Sequence, residues 1–365
     1  MVSEYERAQS HYHFDPKIWR KRSLAQSRCA TPQKRDRIIR GGYRFVSVDL
    51  LQAAAYGGED WSPRTRSHAE EIGSVWRACG INSEWARLKA VLLHEPDAEW
   101  EQINDPNRAQ MLHKPNLAVA RQQHRAIVQA YRLAGVEVEY VAPNEIPSPN
   151  LIFCADLFFM TPEGAILARP ASTVRAGEER WIARRLADLG IPIVRTLNGN
   201  ATFEGADALW LNPETVLLGH GLRTNVAGIE QVTGVLQTMG VRAIPVELPY
   251  GGMHLMGQLR FVDENLAIAW PYRVSYPTVA ALHAHGFEVV FIPDETEATQ
   301  GHALNIVTLG QREILMPAGN PITQAFFESH NIICHTIEIA ELIKAAGGIG
   351  CLTGILARER SERIG

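Results

Sequence analysis

From residue 81 onward the chain repeats one order of apolar and polar segments. A short apolar segment, a polar turn, a second apolar segment, a helical stretch and a third apolar segment follow one another several times. The step from helix into the last apolar segment marks each copy. It reads Ala134-Gly135-Val136, Leu189-Gly190-Ile191, Met239-Gly240-Val241, His285-Gly286-Phe287 and His330-Asn331-Ile332. Gly and Asn suit the left-handed residue that closes a helix, where other side chains pay a Cβ penalty. The markers lie 55, 50, 46 and 45 residues apart. Strands are predicted after them at 136–141, 191–196, 241–246, 287–292 and 332–337.

The front of each copy repeats as well. Pairs of strands joined by a polar turn are predicted at 157–160 and 165–168, 208–211 and 215–219, 259–262 and 266–270, and 306–309 and 313–316. Each copy is therefore a β-β-α-β unit. Five such units, none able to bury its own apolar face, predict an α/β fold closed as a five-bladed pseudo-symmetric propeller. The competing reading is an ordinary α/β sheet of unrelated segments. Residues 1–80 do not join the repeat. The stretch 10–40 is polar and basic, with Lys17, Arg20, Lys21, Arg22, Lys34, Arg35, Arg37 and Arg40 and no sustained period. It reads as an N-terminal arm or cover. Packing on the body through 43–51 and 75–76 is the equal alternative. Residues 81–365 form the expected catalytic domain.

Composition narrows the class. The 365 residues are 46% hydrophobic with a net charge of −4, enough apolar material for a large core. That balance argues against nucleic acid or an anionic membrane as the partner. No apolar run approaches the length that spans a bilayer, and the first residues lack the order of a signal peptide. Five scattered cysteines make no disulfide framework, and no CxxC or HExxH spacing suggests a metal. A cytoplasmic setting is expected, with no metal and no cofactor; a homo-oligomer is left open.

Polar groups break the pattern just before the first strand of each unit. Unit two opens Phe153-Cys154-Ala155-Asp156 and unit three Phe203-Glu204-Gly205-Ala206-Asp207. Unit four opens Gly252-Met253-His254-Leu255 and unit five His302-Ala303-Leu304-Asn305. After unit five comes Gly347-Gly348-Ile349-Gly350-Cys351-Leu352-Thr353. These segments hold equivalent repeat positions, so they are expected to meet at the axis. Singly, each has a plain explanation: Cys29, Cys79 and Cys334 read as small core residues, a lone His254 as a structural histidine, and Glu204 or Asp207 as turn caps. Cys351 differs because glycines surround it and let the backbone approach a ligand. A thiol, an imidazole and carboxylates in one pocket suit a cationic substrate. The carboxylates disfavour a thiolate in the empty site, whereas a bound guanidinium draws it out. Holding that resonance-stabilised carbon in line with sulfur is the help it needs. Histidine can protonate the departing amine and later activate water.

The ordered set Phe153-x-x-Asp156, Phe203-Glu204-Gly205-x-Asp207, Gly219-x-x-x-Arg223-Thr224, Met253-His254-Leu255 and Gly347-Gly348-x-x-Cys351-x-Thr353 resembles the guanidine-modifying superfamily. That group holds arginine deiminases, dimethylarginine hydrolases, arginine dihydrolases and amidinotransferases on a five-bladed α/β propeller, the pentein fold. The Gly-Gly-Ile-Gly-Cys-Leu-Thr-Gly ending and Met-His-Leu-Met-Gly look most similar to arginine dihydrolase domains of cyanobacterial type. The resemblance implies Cys351 as nucleophile, His254 as acid–base, Glu204 orienting His254, and Asp156 gripping the guanidinium. It implies Asp207 as pocket support and Arg175 and Arg223 on the substrate carboxylate, with Arg169 competing with Arg175. It departs from the family at Met256, where deiminases carry an acid, and at Ala155, where Arg or Asn is usual. The partner implied is an arginine-like guanidine. Water or an amine acceptor takes the amidino group, making the enzyme a hydrolase or an amidinotransferase. A non-catalytic guanidine-binding protein is the third reading.

Overall fold

The computed structural model describes residues 62–361. Cys29, the basic stretch 10–40 and the segment 43–51 lie outside the described residues. The first unit contributes β1 (Leu88–Leu93), the helix Leu117–Leu133 and β2 (Glu137–Tyr140). Unit two is β3 (Phe158–Thr161), β4 (Gly164–Leu167), helix Glu179–Asp188 and β5 (Ile193–Thr196). Unit three is β6 (Ala208–Asn212), β7 (Thr215–His220), helix Val226–Thr238 and β8 (Arg242–Glu247). Unit four is β9 (Leu259–Phe261), β10 (Leu266–Ala269), helix Tyr276–Ala284 and β11 (Glu288–Phe291). Unit five is β12 (Val307–Gly310), β13 (Glu313–Pro317), helix Pro321–Ser329 and β14 (Ile333–Ile337).

Each unit forms its own three-stranded sheet, with its middle strand antiparallel to one neighbour and parallel to the other. A parallel pair needs a crossover, and the helix between the second and third strands supplies it. Unit one is completed from the far end of the chain. β15 (Gly354–Arg358) runs antiparallel to β1, with Val91 opposite Ile355, while β2 runs parallel to β1 on its other side. The segment around Cys351 follows unit five in sequence. It lies at the opening of unit one, before that sheet's antiparallel strand, as the other four openings precede theirs.

The five predicted caps share one conformation. Gly135, Gly190, Gly240, Gly286 and Asn331 take φ of 76, 70, 71, 83 and 58°. In every case the next residue's N–H donates to the carbonyl five places back: Val136 to Tyr131, Ile191 to Leu186, Val241 to Leu236, Phe287 to Leu282 and Ile332 to Phe327. That is the bond of a helix stop with a left-handed residue, and it aims the chain back along the sheet. The helices bury one stripe. On Leu117–Leu133 the buried residues are Ala120, Gln123, His124, Ile127, Val128 and Tyr131, at helical spacing. Asn116 and Asn225 cap two of the helices by accepting from Val119 N and Gly228 N.

The apolar interior forms clusters, with Trp100, Trp210, Tyr131, Phe203, Phe261 and Phe327 among its largest fully buried side chains. Residues 65–80 pack on the edge of unit one: Gly80 N donates to Leu356 O, Arg358 N donates to Gly80 O, and Arg77 pairs with Glu137 and Glu139. Cys79 joins the core, as expected, while Cys334 is only partly buried. No helix among the described residues is long and apolar enough to cross a membrane.

Candidate active site

The openings of the units come together. Cys154–Asp156, Gly205–Asp207 and Leu255–Gly257 are single 3-10 turns, each leading into the first strand of its unit. Ile349–Leu352 is a helical turn leading into β15. Asp156, His254 and Cys351 line one cavity with Arg175, Arg223 and Phe153. Glu204 lies directly behind His254, its Oε2 2.6 Å from Nε2. Asp156 Oδ1 stands 3.8 Å from His254 Nδ1, and no hydrogen bond from the described residues reaches that oxygen. One buried carboxylate oxygen therefore faces the cavity beside the imidazole with its acceptor capacity unspent.

The local sequence explains how Cys351 is held. Gly347 and Gly350 lie so close to their neighbours that a Cβ would meet the Phe153 ring at 2.4 Å and the Arg260 guanidinium at 2.2 Å. Any larger residue would push the turn out of place. Tyr131 and Thr353 share a 2.7 Å hydrogen bond, and the Thr353 hydroxyl donates to Ile349 O, pinning the turn to the helix of unit one.

Asn305, from the opening of unit five, joins the site although its residue type alone does not mark it as a member. Its Nδ2 donates to Cys351 Sγ at 2.9 Å, and its Oδ1 accepts from Cys351 N at 3.2 Å. Its position in the repeat was the available signal; the direction of its amide was not.

Each proposed holder of charge has a definite place. Asp207 is fully buried, accepts from Thr224 Oγ1 at 2.6 Å and from Leu255 N at 3.0 Å, and so fixes the backbone next to His254. Arg175 is spent inside the protein. It donates to Asp156 Oδ2 at 2.5 Å and Glu178 Oε2 at 2.8 Å, and to the carbonyls of Asn150 and Phe153. Its fork holds Asp156 in place and has no free edge for a substrate carboxylate. Arg223 is less committed: its NH1 lies 3.5 Å from Glu204 Oε1, and its Nε has no hydrogen-bond partner among the described residues. Arg169 donates to Ala201 O at 2.9 Å, outside the lining of the cavity. Glu178, missed in the sequence, is buried and receives both Arg175 and the Ser148 hydroxyl. The spacing Arg175-x-x-Glu178 on one turn was its trace.

The charges set the resting protonation. Burial pulls the His254 imidazole down, but Asp156, Glu204 and Asp207 together outweigh it and raise the group to about 9. Burial pushes Glu204 up, yet the bond and charge of His254, with Arg175 and Arg223, hold it at about 2. The pair is a carboxylate and an imidazolium. Burial, with the charge of Asp156, pushes the Cys351 thiol up; Asn305, Gly348 and Arg260 pull the other way without prevailing. Burial raises Asp207 to about 6 and Glu178 to about 7. Asp156, Glu204 and His254 also present three ligand-type atoms within 4.8 Å of one another. The Arg175 guanidinium already rests against both carboxylates, 2.5 Å from Asp156 and 3.8 Å from Glu204, and supplies the positive charge that a cation would bring.

The arrangement gives a thiol, a charged imidazole and a free carboxylate oxygen around one small space. It can receive a planar cation, donate a proton to a group leaving that cation, and form a bond from sulfur. Comparison with known proteins agrees with this chemistry. The arginine deiminase family profile matches residues 91–276. The dimethylarginine dimethylaminohydrolase of Pseudomonas aeruginosa is 26% identical over 242 residues, covering 66% of this chain and 90% of that one. Among solved structures, the N-terminal domain of a cyanobacterial arginine dihydrolase superposes with a TM-score of 0.64 at 18% identity, over 74% of this chain and 98% of that one. An amidinotransferase from Microseira wollei gives 0.64 at 14% identity, over 78% and 98%. At these identities the two structures establish a shared mixed α/β fold.

Proposed function

The chain belongs to the arginine deiminase family, and from that premise we propose that it is a cysteine-dependent hydrolase of an arginine-like guanidinium group. The observation that carries the reading is the meeting of Asp156, Glu204, His254 and Cys351, from the openings of units two, three, four and one. In this account the five sheets are the blades of a propeller, and the site sits where their openings face the axis.

The guanidinium lies against Asp156 Oδ1, the oxygen left free when Arg175 takes Oδ2. Arg223 is the arginine with donors to spare for the substrate carboxylate. Arg175 positions Asp156. The resting thiol is neutral, and the arriving cation offsets the charge of Asp156 that opposes ionisation. The thiol proton leaves to solvent, and the sulfur, accepting from Asn305 Nδ2, attacks the amidino carbon. The carbon–nitrogen bond breaks, and the departing nitrogen takes the proton of His254, leaving as a neutral amine. Water then attacks the thiouronium carbon. One of its protons goes to His254 and the other to solvent; the carbon–sulfur bond breaks, and sulfur leaves as thiolate. Glu204 supports the imidazolium in both halves.

Arginine carrying an isotopic label in its guanidino carbon tests the reading. The labelled carbon is expected in citrulline, or in carbon dioxide beside ornithine if a second round follows. Label passing only to an added amine would replace the hydrolase with an amidinotransferase. No labelled product under either condition, with Cys351 intact, would overturn both.

A further inference from the structure

A second cavity meets the first at the reacting groups. Both are lined by Cys351, His254, Met253 and Ala346. A group held at the sulfur therefore has two ways out. One leads past Asp156 to Arg223. The other opens between units four and five, past Met256, Gln258, Trp270 and Arg273.

The second way is built unlike the first. Among the described residues no acidic side chain lines it, and Met256 presents a thioether there. Gln258 is 3% exposed, and its Nε2 has no hydrogen-bond partner among the described residues. A buried amide donor is costly to leave unpaired, so the position calls for an acceptor oxygen. Arg273 stacks over Trp270 at 5.0 Å, gives NH1 to Gly251 O at 2.7 Å, and forms no ion pair among the described residues. A guanidinium with an edge to spare beside an unpaired amide donor suits a carboxylate.

We propose that this second chamber binds the amine side of the reaction, as an arm that ends in a carboxylate read by Gln258 and Arg273. The inference rests on the chemistry proposed at Cys351. The arm is either a substituent on the guanidine nitrogen that leaves or the amine that attacks in its place. Both occupy the same position relative to the amidino carbon. In the first case the bond from that carbon to the arm's nitrogen breaks as the bond to sulfur forms, and the nitrogen takes the His254 proton. In the second, a neutral amine forms the new carbon–nitrogen bond, sulfur departs as thiolate, and the amine's surplus proton returns to His254. Neither route needs an oxidant or a further co-reactant.

The test uses the full chain in two forms. Binding of arginine, Nω,Nω-dimethylarginine and Nω-(2-carboxyethyl)arginine to the Cys351→Ser protein is measured by calorimetry. Turnover of the same compounds, and of arginine with glycine or β-alanine added, is measured on the unaltered enzyme. The carboxyethyl compound is expected to bind about tenfold or more tighter than dimethylarginine, the range of a hydrogen bond to a charged group. That preference should fall by about tenfold in Arg273→Ala and Gln258→Leu, and should reverse in Gln258→Glu, which sets a carboxylate against the arm. Release of the carboxylated amine identifies the leaving arm, and label appearing on glycine or β-alanine identifies the attacking one. Equal binding of the two compounds, or a preference untouched by all three substitutions, would overturn the proposal whether or not arginine is turned over. Tight, substitution-sensitive binding without turnover would leave the chamber standing and remove the hydrolase reading instead.

Discussion

The helix caps of the five units and their openings were built from one repeat and have been treated oppositely. All five caps keep the same conformation and the same backbone bond, whether the residue is glycine or Asn331. At the openings no two units agree: a carboxylate, a pair of carboxylates, an imidazole, an amide and a thiol stand at corresponding places. Repetition fixes where an opening points, and divergence decides what it brings. The cap needs one geometry and accepts either residue that reaches it. A site needs unlike groups a few ångströms apart, which five identical units could not provide.

Breaking an opening should therefore cost chemistry, and breaking a cap should cost stability. Cys351→Ser is expected to show the largest effect, a loss of roughly a thousandfold or more in kcat, because in the proposed reaction the thiolate forms the bond to substrate. Its denaturant midpoint should stay near that of the parent. Activity within tenfold of the parent would sever the link between this opening and the reaction.

His254→Ala comes next, at about 10²–10⁴-fold in kcat. The same group gives a pH signature. Its pKa is raised above the unfolded value of about 6.5, to about 9. Its contribution to stability is thus complete below the unfolded value and lost as pH rises through about 9. The proton needed by the leaving amine disappears over the same interval. Initial rates are expected to fall above about pH 9, and unfolding midpoints to drop in parallel for the parent but not for His254→Ala. A rate that climbs steadily past that interval would contradict the imidazolium.

Asp156→Asn should weaken binding as well as rate. Breaking a buried charge pair costs about 3–5 kcal/mol when one partner is left uncompensated. Two partners are at stake here, the substrate and Arg175. Direct binding on the Cys351→Ser background separates the two losses. Unchanged affinity beside a lowered unfolding midpoint would make Asp156 a support for Arg175 alone.

The smallest effect belongs to the helix caps. Gly240→Ala places a Cβ at φ 71° and should cost about 1 kcal/mol of stability, with kcat preserved. Asn331→Gly should change stability by only a few tenths of a kcal/mol. Equilibrium unfolding in urea checks both. A cap substitution that lowered kcat more than stability would blur the division between caps and openings.

The same contrast governs how much could be read from the sequence. The caps and most strands are local patterns, so the second unit's strand pair was placed within a residue of Phe158–Thr161 and Gly164–Leu167. The openings were found by repeat position, which brought Asp156, Glu204, His254 and Cys351 together without contact information. Three things were hidden because they depend on pairing across the chain. β15 completes unit one from more than two hundred residues away in sequence, and nothing in Gly354–Arg358 says which strand it joins. Arg175 has free donors on paper, and only the fold supplies Asp156, Glu178 and two carbonyls to use them. Asn305 resembles any turn residue until Cys351 arrives at its amide.

The central claim is that the thiol at the opening of unit one forms a bond to the carbon of the bound guanidinium. Acid quenching of the enzyme during turnover of arginine, followed by digestion and mass spectrometry of the peptide containing Cys351, tests it directly. An amidino-carbon adduct carried by Cys351, present during turnover and absent once substrate is exhausted, is the expected result. Turnover with that peptide always unmodified, or with the adduct on another residue, would contradict the account.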